Sequence, residues 1–165
     1  MKLTRSSISE LLQQPTVSAI YRDKEGILWV GTQQGLYRHD GATVSEFNTN
    51  KPENLWIPES EIKDIGGDSS GSLYVATSGG ILLIWNQKMH QFTPVNESEF
   101  KKYSRLVRML VTKNNQVWLL HQMGLSRYST ELGFESALLA ESEVSEAVGT
   151  PNASAEDANG NLWLG

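Results

Sequence analysis

The chain contains no cysteine. That absence removes disulfides, thiol nucleophiles and cysteine-ligated zinc in one step. No run approaches the roughly 18 consecutive apolar residues that a helical membrane span requires. Residues 1–7 carry charge with no apolar stretch behind it, so they do not read as a secretory signal. Positive charge is in short supply: 14 Lys and Arg stand against 19 Asp and Glu, for a net charge of −5. A nucleic-acid partner needs a basic face to displace counterions, and this balance argues against one. Histidine is scarce too. His39, His90 and His121 share no spacing with a carboxylate pair, and no His-Glu-x-x-His run occurs. No glycine-rich stretch has phosphate-loop spacing. Residues 157–161 superficially resemble a calcium loop but lack its alternating ligands and distal Glu. No catalytic residue, metal ligand or cofactor is therefore assigned.

What is present is a repeat. With 39% hydrophobic and 20% charged residues over 165 positions, the composition is that of a globular chain with material for a core. Aromatic residues recur at Trp29, Tyr74, Trp118 and Trp163, spaced 45, 44 and 45 apart. Their surroundings match in register. Asp23, Asp68 and Asp157 stand six residues before an aromatic, with Gly26, Gly71 and Gly160 three residues after each Asp. Gly35, Gly80 and Gly124 follow the aromatic of their repeat at a similar distance. Each repeat reads as antiparallel strands joined by turns, the Asp bonding nearby backbone N–H groups and the Gly supplying a positive φ. The third repeat lacks the Asp. Its turn, Thr112-Lys113-Asn114-Asn115, is expected to be one residue shorter, with Asn in a tighter primed turn.

The central strands, at residues 27–30, 73–76 and 117–120, are apolar on both faces, which fits sheets stacked between neighbours rather than one-sided sheets. Four short strands in a unit of 40–45 residues is the signature of a β-propeller. The fold class expected is all-β: three blades of about four antiparallel strands plus the start of a fourth. Small residues at Gly31, Ala76 and Gly165 would let blades approach closely. Residues 1–16 are a lead-in, with a turn of helix expected over 9–14. Repeats span 17–61, 62–106 and 107–150, and 151–165 opens a fourth, all within one propeller domain. Residues 131–157 hold seven acidic residues and no Lys or Arg. They read as a long connection, with a short helix over 136–147.

These residues resemble the two-component regulator propeller repeat, whose pattern runs Val-x-x-Ile-x-x-Asp-x-x-Gly-x-Leu-Trp-Ile-Gly-Thr-x-x-Gly-Leu-x-Arg-Tyr-Asp. Repeat 1 matches from Val17 to Asp40, through Trp29-Val30-Gly31-Thr32 and Gly35-Leu36. Repeat 2 matches well and repeat 3 loosely, with Leu120-His121 where Gly-Thr is expected. Repeat 4 matches only in part. The resemblance implies a seven-bladed ring, a periplasmic location, and a role as ligand-sensing input of a bacterial membrane receptor. The remainder of that receptor would carry a histidine kinase or diguanylate cyclase output. Three repeats and a part do not close a ring. The chain is therefore expected to be a fragment that self-associates through exposed blade edges.

Binding tends to sit on loops held by a rigid scaffold. Residues 51–61 and 96–105 lead into the innermost strands of repeats 2 and 3. There Trp56, Glu59, Tyr103 and Arg105 combine aromatic faces, a carboxylate and a guanidinium. That set suits a small-molecule ligand such as a sugar or a carboxylated metabolite. The competing reading has Trp56 and Phe100 filling gaps between blades, and the basic stretch 101–108 as a solvated loop. Two other functions compete with sensing. One is a protein-interaction scaffold. The other is a propeller lyase or hydrolase, which needs clustered His or carboxylates on one face of the channel, a set this sequence does not show.

Overall fold

The computed structural model describes residues 16–95, 105–122, 124–139 and 153–165. Its local unit is built from the Asp turn. The Asp23 carboxylate accepts hydrogen bonds from the N–H groups of Glu25 (3.0 Å) and Ile27 (2.9 Å) through one oxygen, and from Trp29 Nε1 (2.8 Å) through the other. Asp157 repeats this with Asn159, Asn161 and Trp163 Nε1 (3.1 Å). Asp68 does so with Ser70, Ser72 and the Tyr74 hydroxyl (3.0 Å). One oxygen shapes the turn and the other anchors the aromatic, which is why the two residue types recur together.

Burial raises the Asp68 pKa, but hydrogen bonds from Ser70, Ser72 and Tyr74 outweigh it and hold the group below the ordinary carboxylate value. Burial pushes the Tyr74 phenol up to about 12. Repeat 3 uses the same turn length, contrary to the shorter turn expected from its sequence. Thr112 occupies the Asp position, its Oγ1 accepting from Gln116 N at 3.1 Å. Asn115 takes the glycine position at φ 61°, a left-handed conformation that Asn tolerates. A hydroxyl does the carboxylate's turn-shaping work.

Strands follow in regular order: β1 (Val17–Arg22), β2 (Leu28–Thr32), β3 (Leu36–His39) and β4 (Val44–Phe47) form one sheet. β5 (Ile62–Gly67), β6 (Leu73–Thr77), β7 (Leu82–Asn86) and β8 (Gln91–Pro94) form the second. β9 (Leu106–Val111), β10 (Val117–His121), β11 (Gly124–Ser129) and β12 (Gly133–Leu139) form the third, and β13 (Ser154–Glu156) pairs β14 (Leu162–Leu164). All pairings are antiparallel and sequential. A 3-10 turn, Glu53–Leu55, lies between the first two sheets. These are blades of a β-propeller, three of four strands and one of two.

Two readings of the 131–157 segment change. β12 runs through residues 133–139 as the outer strand of blade 3, where a connection and the start of a helix at 136 were expected. Residues 140–147 of that helix, and the turn of helix at 9–14, lie outside the described residues.

The core lies between the blades. Trp29, Phe47, Ile62, Ile65, Leu83 and Phe92 fill the first seam. There the Trp29, Phe47, Trp85 and Phe92 rings meet at centroid distances of 4.9–6.0 Å. Tyr74, Ala76, Leu106, Met109 and Leu119 fill the second. Trp29 and Tyr74 are covered by the following blade, at 0% and 1% exposed, whereas Trp118 is half-buried and Trp163 is 64% exposed. Arg127 covers Trp118 from its own sheet, its guanidinium carbon 5.4 Å from the ring centroid.

Close approach at the first seam requires Gly31, where a Cβ would stand 2.6 Å from Ile62 Cγ2. Ala76 is fully buried in the second seam, as expected. Nothing lies within 4 Å of the Gly165 Cβ position, because no described blade packs on that face. Gly31→Val is expected to lower stability by about 1–3 kcal/mol through overpacking, read as a lower urea midpoint at unchanged slope. An unchanged midpoint would show that the seam is looser than described.

Candidate functional site

β5 lies beside both β1 and β9, so the first strands of successive sheets line up along the inner side of the blades. Each begins with an irregularity of the same kind. The register shifts between Val17 and Ala19 on β1 and between Ile62 and Asp64 on β5. On β9 it shifts opposite Leu120 and His121, between Leu106 and Arg108. In a regular strand, residues i and i+3 point to opposite faces, and one extra residue brings them to the same face. The pairs Ile62/Ile65 and Leu106/Met109 thus both plug the seam toward the preceding blade.

Just before these strands, Glu61 and Arg105 hold the same repeat position, 44 residues apart. Their carbonyls accept from Ser78 N (2.8 Å) and Gln122 N (3.1 Å), which extends each sheet by one rung. Arg105 Nη2 donates to Glu61 Oε1 at 2.8 Å across the two blades. A hydrogen bond from Ser78 holds the Glu61 pKa down, opposed by partial desolvation and aided by Arg105. Glu59 is fastened nearby: both of its oxygens accept from Gly79 N–H, at 3.1 and 3.0 Å. A Cβ on residue 79 would meet Glu59 Oε2 at 2.6 Å, so any side chain there would displace the Glu59 carboxylate from the amide. Glu59, Glu61, Ser78, Gly79 and Arg105 together line one open cleft.

Of the four residues expected to bind ligand, the structure brings Glu59 and Arg105 into that cleft. Trp56 does not line it. It is 39% exposed on the 48–61 loop, where it forms an isolated parallel bridge with Asn48. The gap-filling expected of Trp56 falls instead to its neighbour Ile57, which is fully buried. Tyr103 and Phe100 lie outside the described residues. The sequence alone does not single out Glu61, Ser78 or Gly79. The available signal was the shared repeat position of Glu61 and Arg105, and their opposite charge.

Deeper along the inner strands, Asp64 Oδ2 accepts from Met109 N (3.2 Å) of the next blade, with Arg108 Nε at 3.8 Å. Arg108 thus stands on a strand, not in the solvated loop expected over 101–108. Burial raises the Asp64 pKa, opposed by the Met109 amide and by Arg108. His121 occupies the place held by Thr32 and Thr77 in the other blades. It is 1% exposed, with Nε2 3.0 Å from Ser126 Oγ, which is a packing position. Among the described residues, no group of three or more His, Asp or Glu is placed to hold a metal.

The two component regulator propeller family model matches residues 11–34, across the end of the lead-in and the first half of the first repeat. No curated protein matches the chain. Among solved structures, the extracellular domain of a hybrid two component system from B. thetaiotaomicron is similar at a TM-score of 0.78 and 19% identity. The similarity covers 98% of this chain and 23% of that one. The extracellular domain of a one component system from B. thetaiotaomicron matches at 0.53 and 16% identity, over 96% of this chain and 30% of that one. Virginiamycin B lyase from Staphylococcus aureus matches at 0.66 and 10% identity, over 93% and 50%. The chain thus spans about a quarter of the first of these extracellular domains, and the likeness at these identities is one of fold.

Asp64 generates a pH prediction. Its raised folded value means that the folded protein holds the proton more tightly than the unfolded chain. Its contribution to stability is therefore present below the unfolded carboxylate value and lost as pH rises through the folded one. Asp64→Asn keeps an acceptor for Met109 N and cannot ionise. Its stability relative to the parent should improve as pH climbs from about 4 to about 7 in urea unfolding. A difference that is flat with pH would refute the assignment.

Proposed function

We propose that these blades belong to the extracytoplasmic sensing propeller of a bacterial membrane receptor, and that its ligand is engaged at the Glu59–Glu61–Arg105 cleft. The observation that carries this reading is the cross-blade pair of Arg105 and Glu61. Arg105 is 63% exposed on its side chain and rests on a partner that is itself 38% exposed. Such a pair contributes little to stability, yet it holds a guanidinium with a planar array of donors at the mouth of the inner strands. The fold and the matched repeat support the sensing role. In this reading the segment binds rather than catalyses, and any signalling output lies elsewhere in the receptor.

The chemistry of the cleft suits a small, hydroxylated, carboxylated molecule of the kind derived from carbohydrate. Arg105 would leave Glu61 to pair with the ligand carboxylate. Glu61, still bonded by Ser78, and Glu59, fixed on the Gly79 amide, would accept from ligand hydroxyls. No nucleic acid fits this acidic surround.

Uronic acids, aldonic acids and neutral sugars should be tested by thermal shift and calorimetry on the propeller that contains these blades. An acidic sugar is expected to bind, and Arg105→Ala to weaken it by about 10-fold or more, the range of one charge-assisted hydrogen bond. Equal affinity in the variant would remove the ligand from this cleft. Preference for a neutral sugar would remove the role of the guanidinium.

A further inference from the structure

The two seams between the four-stranded blades differ at the end of the strands that carries the Asp turns, opposite the end that holds the Glu59–Arg105 cleft. At the second seam, Asn115 stands on the turn of blade 3 at φ 61°. Its Oδ1 accepts from both N and Oγ of Ser69 on the turn of blade 2, at 3.0 and 2.7 Å. The Asn115 side chain thereby spans the gap between the two turns. At the first seam the equivalent residue is Gly71, left-handed too at φ 98° but with no side chain to reach across. A recess of about 190 Å³ remains there, between blades 1 and 2.

Two blades furnish this recess with unlike groups. Leu73, buried at the start of β6, and Trp85, half-buried on β7, give it an apolar side. Lys24 and Glu25, exposed neighbours on the turn of blade 1, bring opposite charges to it. Each is tied to a different part of blade 2. Lys24 Nζ donates to the Ser69 carbonyl on the β5–β6 turn, while Glu25 Oε1 accepts from Gln87 Nε2 just past the end of β7. The ties draw the cation toward the inner strands and the anion toward the outer ones. Neither charge is used up, since an ammonium has three N–H donors and a carboxylate two oxygens. In the next repeat the same two positions are Ser69 and Ser70, which carry no charge. An open gap and a separated charge pair thus coincide at the first seam.

We infer that this recess binds a free α-amino acid with an apolar side chain, Lys24 taking the carboxylate, Glu25 the ammonium, and Leu73 and Trp85 the side chain. The volume sets the size, lying below the roughly 300–1,000 Å³ of pockets for drug-sized ligands. The charges set the class. A simple acid or amine would meet one of them and a neutral sugar neither, whereas a zwitterion meets both. The site stands at the far end of the strands from the Arg105 cleft and does not rest on the reading of that cleft.

Calorimetry on the propeller that contains these blades tests this, with leucine, methionine and phenylalanine titrated to about 10 mM so that even a millimolar affinity is read. The amino acids are expected to bind. Isoamylamine and isocaproate, leucine analogues that each lack one charge, should bind about 10-fold more weakly or less. Gly71→Asn copies the closure of the second seam, and its Cβ would meet Lys24 Cδ at an ordinary 3.7 Å. It should abolish binding. Lys24→Met combined with Glu25→Gln leaves the recess open without its charges, and should weaken leucine by about 10-fold or more. Near-UV circular dichroism checks that both variants keep the parent fold, and the double variant decides if Gly71→Asn does not. Absence of heat from all three amino acids, equal affinity for the single-charge analogues, unchanged binding in a folded variant, or preference for glucose would each overturn the proposal.

Discussion

The structure depends on an aromatic ring that is anchored by its own turn and buried by the next blade. Asp23 fixes the Trp29 indole through Nε1 at 2.8 Å. The ring then has one place to go, and blade 2 closes over it with Trp85 and Phe92 at 5.2 and 5.7 Å. The hydrogen bond itself contributes about 1 kcal/mol, as such bonds do, while burial of the ring contributes about 1.5–3 kcal/mol. The bond's greater role is orientation. It leaves no indole N–H stranded inside an apolar seam, where an unmet donor would cost about as much as burial provides.

Around that ring the blades are tied by bonds of one period. Ser18 Oγ donates to the Ile62 carbonyl at 2.6 Å, and Asp64 accepts from Met109 N. Lys113 N donates to Glu156 at 2.9 Å, and Ser69 N to Asn115 Oδ1 at 3.0 Å. Each crosses to the adjacent blade, so partners are separated by about one repeat. The repeat length is therefore also the reach of these inter-blade hydrogen bonds, and stability is shared between nearest neighbours. The same geometry makes the cleft: Glu61 and Arg105 meet because adjacent blades present the same position side by side.

Much of the fold was legible. The Asp, Gly and aromatic positions at constant offsets define the blade, and strands that are apolar on both faces demand neighbours on both sides. Repeat 3 was misread at its turn because Thr112 and Asn115 do not look like Asp and Gly, although they occupy those positions and make the corresponding bonds. β12 was missed because residues 133–139 sit in an acidic context, and a strand's ladder bonds are made by backbone, which carries no composition. The site was legible only in part. Arg105 and Glu59 stood out as charged loop residues. Ser78 and Gly79 did not, since they belong to an ordinary turn of a different strand pair.

By itself the sequence determined the repeat, its antiparallel unit and the seam between units, because those rest on local turn chemistry and on burial patterns that recur at a fixed offset. Tertiary structure alone decided which side chains share the cleft, that Trp56 stays outside it while Ile57 is buried, and that Arg108 pairs with Asp64. The reason is physical. One extra residue at the head of each inner strand rotates every side chain before it, and neither hydrophobic period nor motif spacing encodes where that bulge falls.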